Sequence, residues 1–211
     1  MTTQDEAVLA RNDRYVREFV EALQLCPYAK VCRESGKLHR RVVRSREAAL
    51  PAIREIEAMP EDAVEVALLI FPDEPADGEP SARAFEAFCA GLREQMFAAH
   101  PGGPPFYCVA FHPDLPCDLQ DAPRAVRFIR RSPDPTLQLV RASVLQSVRG
   151  PHRGGSRYVD ASRLSLEEAM ALVSPLSLSE RIAEANWKTL GREGRERLEA
   201  LLASLRNVRD P

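Results

Sequence analysis

Apolar positions near the N-terminus recur at helical spacing. Val16, Phe19, Val20 and Leu23 form one stripe, which predicts a helix from about Gln4 to Leu25. Pro27 ends it, because a proline disfavours helical geometry in the residue before it. The pattern then changes period. Leu38 to Ser45 reads as a strand with a charged outer face, and Arg46 to Met59 as a helix interrupted near its start by Pro51. Val64 to Phe71 (VEVALLIF) is apolar almost without a break, as a central strand covered on both faces must be. Ser81 caps a predicted helix reaching about His100, with Phe85, Phe88, Cys89, Leu92 and Met96 as its buried stripe. His100 to Pro105 (HPGGPP) is a turn, and Phe106 to Phe111 is a second buried strand.

The stretch from Val109 to Arg141 carries the densest mixture of apolar and polar signals. A strand ends at His112-Pro113, a long connection follows, and order resumes at Ser132-Pro133-Asp134-Pro135. Asp134 as a cap and Pro135 at the first helical position predict a helix from Pro135 to Val148. Leu137, Val140, Val144 and Val148 would be its buried face, and Asp134, Gln138 and Arg141 would stack on another. After a Gly- and Arg-containing loop (RGPHRGGSR), Ser165 caps a short helix over LEEAMALV. Ser179 to Leu190 and Glu193 to Leu205 are two more helices, divided at Gly191. The alternation from Leu38 onward predicts an α/β or α+β fold with a small central sheet of about three to four strands. Helices pack around that sheet, the C-terminal part is helical, and residues 1–211 form a single domain.

Composition narrows the function classes. A 45% hydrophobic content marks a folded chain, and a net charge of −2 gives no global pull toward nucleic acid or anionic membrane. Locally, Arg124, Arg127, Arg130, Arg131, Arg141, Arg149, Arg153, Arg157 and Arg163 face only Asp134 and Asp160, a segment suited to anionic ligands. Cys26, Cys32, Cys89, Cys108 and Cys117 are odd in number and lack CxxC spacing, so neither a disulfide framework nor a zinc knuckle is indicated. The first residues do not resemble a signal peptide, and no apolar run approaches the ~20 residues of a membrane span. A cytoplasmic protein with reduced thiols is the expectation. The common nucleotide, protease, hydrolase and EF-hand motifs are absent.

Individual residues supply the candidate chemistry. His112 stands where a strand gives out, the place where α/β folds collect ligands; a hydrogen-bonded structural histidine is the other reading. Cys26, at a helix end before Pro27, suits a nucleophile, a redox thiol or a metal or haem thiolate, or else a half-buried structural cysteine. Arg131 and Arg141 offer planar donor forks for carboxylate or phosphate, with Gln138 adding a neutral hydrogen bond. The alternative for Arg141 is an internal salt bridge, and for Arg131 a loop-holding role. Asp73, Glu74, Asp77 and Glu79 read as a solvated acidic loop ahead of a cation site.

LQLCPYAK at Leu23 to Lys30, AFHP at Ala110 to Pro113 and RSPDPTLQLVR at Arg131 to Arg141 together resemble a bacterial family of unknown function, numbered fourteen-fifteen. ERIAEANWKTLG, around Asn186, is similar to that family's closing helix. The resemblance implies that Cys26, His112, Arg131, Ser132, Arg141 and Asn186 occupy motif positions, and it brings no activity with it. Gln138 stands where the family typically has a histidine, a departure that suits a specialised pathway.

These readings converge on a small-molecule enzyme acting on an anionic, carboxylate- or phosphate-bearing metabolite. Arg131, Ser132, Gln138, Arg141 and Asn186 would bind the substrate, and Cys26 and His112 would carry the chemistry, redox or assisted by a haem or transition metal on Cys26 or His112. The alternative is a non-catalytic binding or regulatory protein that uses residues 124–163 for a phosphate-bearing partner or RNA. Membrane association is not expected.

Overall fold

The computed structural model describes residues 2–116, 121–149 and 178–206. Helix α1 (Thr3–Arg14) begins with a reciprocal cap, in which Thr2 Oγ1 accepts from the Asp5 amide and the Asp5 carboxylate accepts from the Thr2 amide, both at 3.2 Å. It runs on into a π-helical segment, Tyr15–Glu21, with the wide i to i−5 bonds Ala22 N–H to Arg17 O (3.0 Å) and Leu25 N–H to Val20 O (2.9 Å). Gln24, at a φ of 54°, then turns the chain out of the helix. After α2 (Ala29–Glu34) come β1 (Leu38–Val42), α3 (Ala49–Glu57), β2 (Val66–Ile70), α4 (Gly78–Ala99), β3 (Phe106–Phe111) and α5 (Ala122–Ile129). Strand β4 (Thr136–Arg141) follows, then α6 (Ala142–Arg149), α7 (Leu178–Glu193) and α8 (Arg195–Arg206).

The four strands among the described residues form one mixed sheet in the order β1-β2-β4-β3. β2 is parallel to β1, and β4 runs antiparallel to both of its neighbours. Helices cover both faces. On one, Ala52, Ile53 and Ile56 of α3 and Phe85, Cys89, Leu92 and Met96 of α4 pack on Ala67, Leu69, Leu137 and Leu139. On the other, α1 with its π segment, α5, α7 and α8 pack on Leu68 and Ile70. Burial on both faces is why β2 is apolar throughout, and the fold is the α+β arrangement the alternation predicts.

Several expected features are corrected. Thr136 to Arg141 is a strand, not the first half of a helix; only Ala142–Arg149 is helical. Leucine and valine in TLQLVR fit either period, and the ladder decides: Leu137 and Leu139 point to one core while Gln138 and Val140 point to the other face. Asp134 therefore caps no helix. Pro135 opens the strand instead, its carbonyl accepting from the Phe71 amide at 2.8 Å. Ser81 does not cap α4 either; the helix starts at Gly78, whose amide is held at 2.7 Å by the Asp114 carboxylate. The Ser81 hydroxyl donates back to the carbonyls of Asp77 and Gly78. The long connection after β3 contains α5, and the break between the last two helices falls at Gly194 (φ 80°) instead of Gly191. The helix expected after Ser165 lies outside the described residues.

Leu139 is fully buried between the two neighbouring strands. Leu139→Ala should lower unfolding free energy by about 2–5 kcal/mol in urea denaturation. A surface-exposed site in a helix would show a small fraction of that loss.

Candidate functional site

Because β4 is antiparallel to its neighbours, the C-terminal ends of β1, β2 and β3 meet the N-terminal end of β4 at one edge of the sheet. His112, Arg131, Ser132 and Asp134 all lie there. His112 has no exposed surface. The Asp114 amide donates to its Nδ1 at 3.1 Å, which makes Nδ1 the acceptor and leaves Nε2–H to donate to the Pro75 carbonyl at 3.0 Å. Burial lowers its pKa below the usual 6.5, against the Pro75 carbonyl and the Asp114 carboxylate. Both ring nitrogens are thus committed to backbone groups, and the neutral imidazole joins the loop after β2 to the loop after β3.

Ser132 is buried and donates to the Asp134 carbonyl at 2.5 Å, as Thr136 does at 2.9 Å. The Asp134 carboxylate takes a bidentate pair of bonds from Arg11, Nε to Oδ2 at 2.9 Å and Nη2 to Oδ1 at 2.7 Å. That fork ties α1 to the entry of β4, so the carboxylate is spent on structure.

Beside these residues opens a cleft of about 510 Å³, lined by Asp77, Pro113, Asp114, Arg131 and Ser132 on one side and by Glu199, Leu202, Ala203 and Arg206 of α8 on the other. A volume of this size takes a small metabolite. Arg206 bridges the walls, donating to Asp114 at 3.0 Å and to Asp77 at 3.3 Å. The Gly78 amide and Arg206 hold the Asp114 carboxyl below its ordinary range despite its burial. Arg131 Nη1 stands 3.5 Å from Glu199, its guanidinium lies 5.6 Å from the Phe128 ring centre, and its Nε is buried without a hydrogen-bond partner.

The remaining expected site residues are elsewhere. Cys26 lies before α2, where the amides of Tyr28 and Ala29 face its sulfur, and burial raises its pKa against them. It sits beside Cys32, whose carbonyl accepts from Lys37 at the start of β1, so it is at the far end of the sheet from His112. The strands separate the two by about 17 Å, five residues at ~3.4 Å each. Arg141 is at that far end too. It is buried, donates through Nε to the Val64 carbonyl at 2.6 Å and lies 4.5 Å from the Phe106 ring centre, with Nη2 unpaired. Gln138 is half-buried in mid-strand, and Asn186 is buried on the inner face of α7 with Ala183 and Leu190. Of the residues predicted as one site, the cleft gathers only Arg131 and Ser132, with His112 shaping the loop behind them.

In the acidic loop, Asp73, Glu74, Asp77 and Glu79 are each answered by an arginine, namely Arg44, Arg46, Arg206 and Arg83. Among the described residues no group of three or more His, Cys, Asp or Glu is placed to hold a metal ion. In the basic segment Arg127 pairs with Glu86 at 2.8 Å and Arg141 is buried, while Arg153, Arg157 and Arg163 lie outside the described residues. Asp114, Glu199 and Arg206 were missed in the sequence. Asp114, two residues beyond the strand end in HPDLP, carried a readable turn signal; Glu199 and Arg206 lie on a charged helical surface like any other.

The class defined here is an α+β protein with a polar-lined cleft at one end of a mixed sheet. A family model, protein of unknown function (DUF1415), matches residues 7–153, and the chain belongs to that family. The matched span includes Cys26, His112, Arg131, Ser132, Gln138 and Arg141 and stops before Asn186 and α8. No curated protein and no solved structure matches the chain.

Arg11→Met, which keeps the stem and removes the fork, should cost about 1.5–3 kcal/mol in chemical denaturation. The pH dependence of stability tests His112. Its folded pKa lies below the unfolded 6.5, so its contribution is complete above that value. It is lost as pH falls through the interval below, where the unfolded chain binds the proton first. His39 is shifted the same way. His112→Gln should therefore be less stable than the wild type at about pH 7.5 but show a shallower loss down to about pH 5.5, leaving the His39 share.

Proposed function

We propose that the protein is a small-molecule enzyme whose substrate is an anionic, carboxylate- or phosphate-bearing metabolite held in the cleft between the strand ends and α8. The observation that carries this reading is Arg131, a cation at the cleft wall with a buried donor left without a partner. A buried unpaired donor costs about 1–3 kcal/mol, and an anionic ligand would satisfy it. Arginine suits that ligand because its fork matches the two oxygens of a carboxylate or phosphate. Glu199, 3.5 Å from the same guanidinium and 2.9 Å from Arg195, is the carboxylate to which this reading assigns proton exchange with a bound substrate. An anion anchor beside an acid–base group favours an enzyme over a passive carrier. His112 serves as a positioning residue in this reading. Arg127, paired with Glu86, and Arg141, buried, give less support to a phosphate-bearing macromolecular partner.

The test is equilibrium dialysis of the protein against a small-metabolite extract, read by mass spectrometry. The wild type should enrich an acidic metabolite, Arg131→Met should lose about tenfold of that enrichment, and Arg127→Met should retain it. Enrichment indifferent to Arg131, or steeply salt-dependent retention of nucleic acid in its place, would overturn the reading.

A further inference from the structure

We propose a second small-molecule site, at the end of the sheet opposite the cleft, which takes a primary ammonium carried on a short apolar chain. Helix α3 ends at Glu57 and α4 at Ala99, ahead of β2 and β3, and a cavity of about 260 Å³ lies between the two helices near those ends. Leu50, Met96 and Ala99 give it apolar walls, and Arg54, Glu57 and His100 are the titratable groups on its lining. Two acceptors meet there with no donor between them. The Met96 carbonyl can only accept, so at 2.9 Å it places the proton of the neutral His100 ring on Nδ1 and leaves Nε2 as a lone pair. Nε2 stands 4.0 Å from Glu57 Oε2, too far for a hydrogen bond, and Glu57 Oε1 is buried without a hydrogen-bond partner. One nitrogen placed between Nε2 and Oε2 can reach both at about 2.8 Å.

The field at this place favours a cation. The Glu57 side chain is only 15% exposed, so water screens its charge poorly. The carbonyl ends of α3 and α4 both add partial negative charge, and α4 has no basic residue in its last turn. Arg54 is the one full positive charge on the lining. It is exposed, stands in the last turn of α3, whose carbonyl end it complements, and among the described residues it is in no ion pair with Glu57. Cys108, also within the field of Glu57, is a neutral thiol: burial raises its pKa to about 11, Arg93 opposing and Glu57 adding to the rise. A water could donate to both acceptors but would leave the carboxylate and the two helix ends uncompensated. A primary ammonium supplies the N–H donors and the charge together, and its chain suits the apolar walls.

Nuclear magnetic resonance titration at about pH 8, where alkylamines are charged, tests this with three probes. n-Butylammonium carries charge and N–H donors, n-butyltrimethylammonium the charge alone, and n-butanol a donor without charge. n-Butylammonium should shift the His100 ring and the Glu57 amide saturably and bind about tenfold tighter than either of the others, with the Asp114 and Ser132 amides of the cleft unmoved. Glu57→Gln, which keeps the shape and removes the charge, should weaken it about tenfold, and Arg54→Met should not weaken it. Equal binding of the three probes, or binding indifferent to Glu57→Gln, would overturn the ammonium. No saturable shift at His100 and Glu57 would overturn the site itself.

Discussion

The fold depends on the insertion of Thr136–Arg141 between β2 and β3. Those two strands are parallel to each other, and the antiparallel strand between them satisfies the inward backbone groups of both. Without it the sheet would fall into a β1-β2 pair and a lone β3. Its insertion also orders the cleft. Because β4 runs against its neighbours, its leading residues, Arg131 to Pro135, arrive where β2 and β3 end. The Arg11–Asp134 fork, the His112 bridge and the Pro135–Phe71 bond all secure that junction. In the proposed reading, groups placed on such a fixed frame would need little reordering when a ligand arrives.

Much of the architecture was legible because burial leaves a strong imprint. VEVALLIF announced a strand covered twice, and the Phe85 to Met96 stripe announced the inner face of α4. TLQLVR was misread because a six-residue run with leucine and valine satisfies both helical and strand spacing, and the decisive partners, Leu69 and Cys108, are distant in sequence. Asp134-Pro135 strengthened the error. The same two residues that open many helices here take an arginine from α1 and start a strand. Once the helix is a strand, Gln138 and Arg141, three residues apart, point to opposite faces, and the site predicted from them separates into two ends of the sheet.

The site itself was half legible. Arg131, Ser132 and His112 are marked by their place beside a strand end and by Pro-rich turns that fix the backbone. Glu199, Arg206 and Asp77 are not marked, since an isolated charge on a helix or in an acidic loop reads as solvated surface. Their meaning comes only from tertiary pairing, one cation between two carboxylates and one carboxylate between two cations. Cys26 and Arg141 have a different setting. Burial raises the pKa of the thiol, and the guanidinium is enclosed by a carbonyl and an aromatic ring, both at the far end of the sheet from the cleft.

The central claim is that ligand enters at the Arg131 end of the sheet. The most direct measurement is nuclear magnetic resonance of the arginine side-chain Nε–H groups and backbone amides during titration with small carboxylate- and phosphate-bearing probes. The account predicts that the Arg131 Nε signal shifts strongly, together with the amides of Asp114 and Ser132, while Arg141 Nε and the amides of Tyr28 and Ala29 stay still. Movement of Arg141 and the Cys26 region with Arg131 unchanged would contradict it.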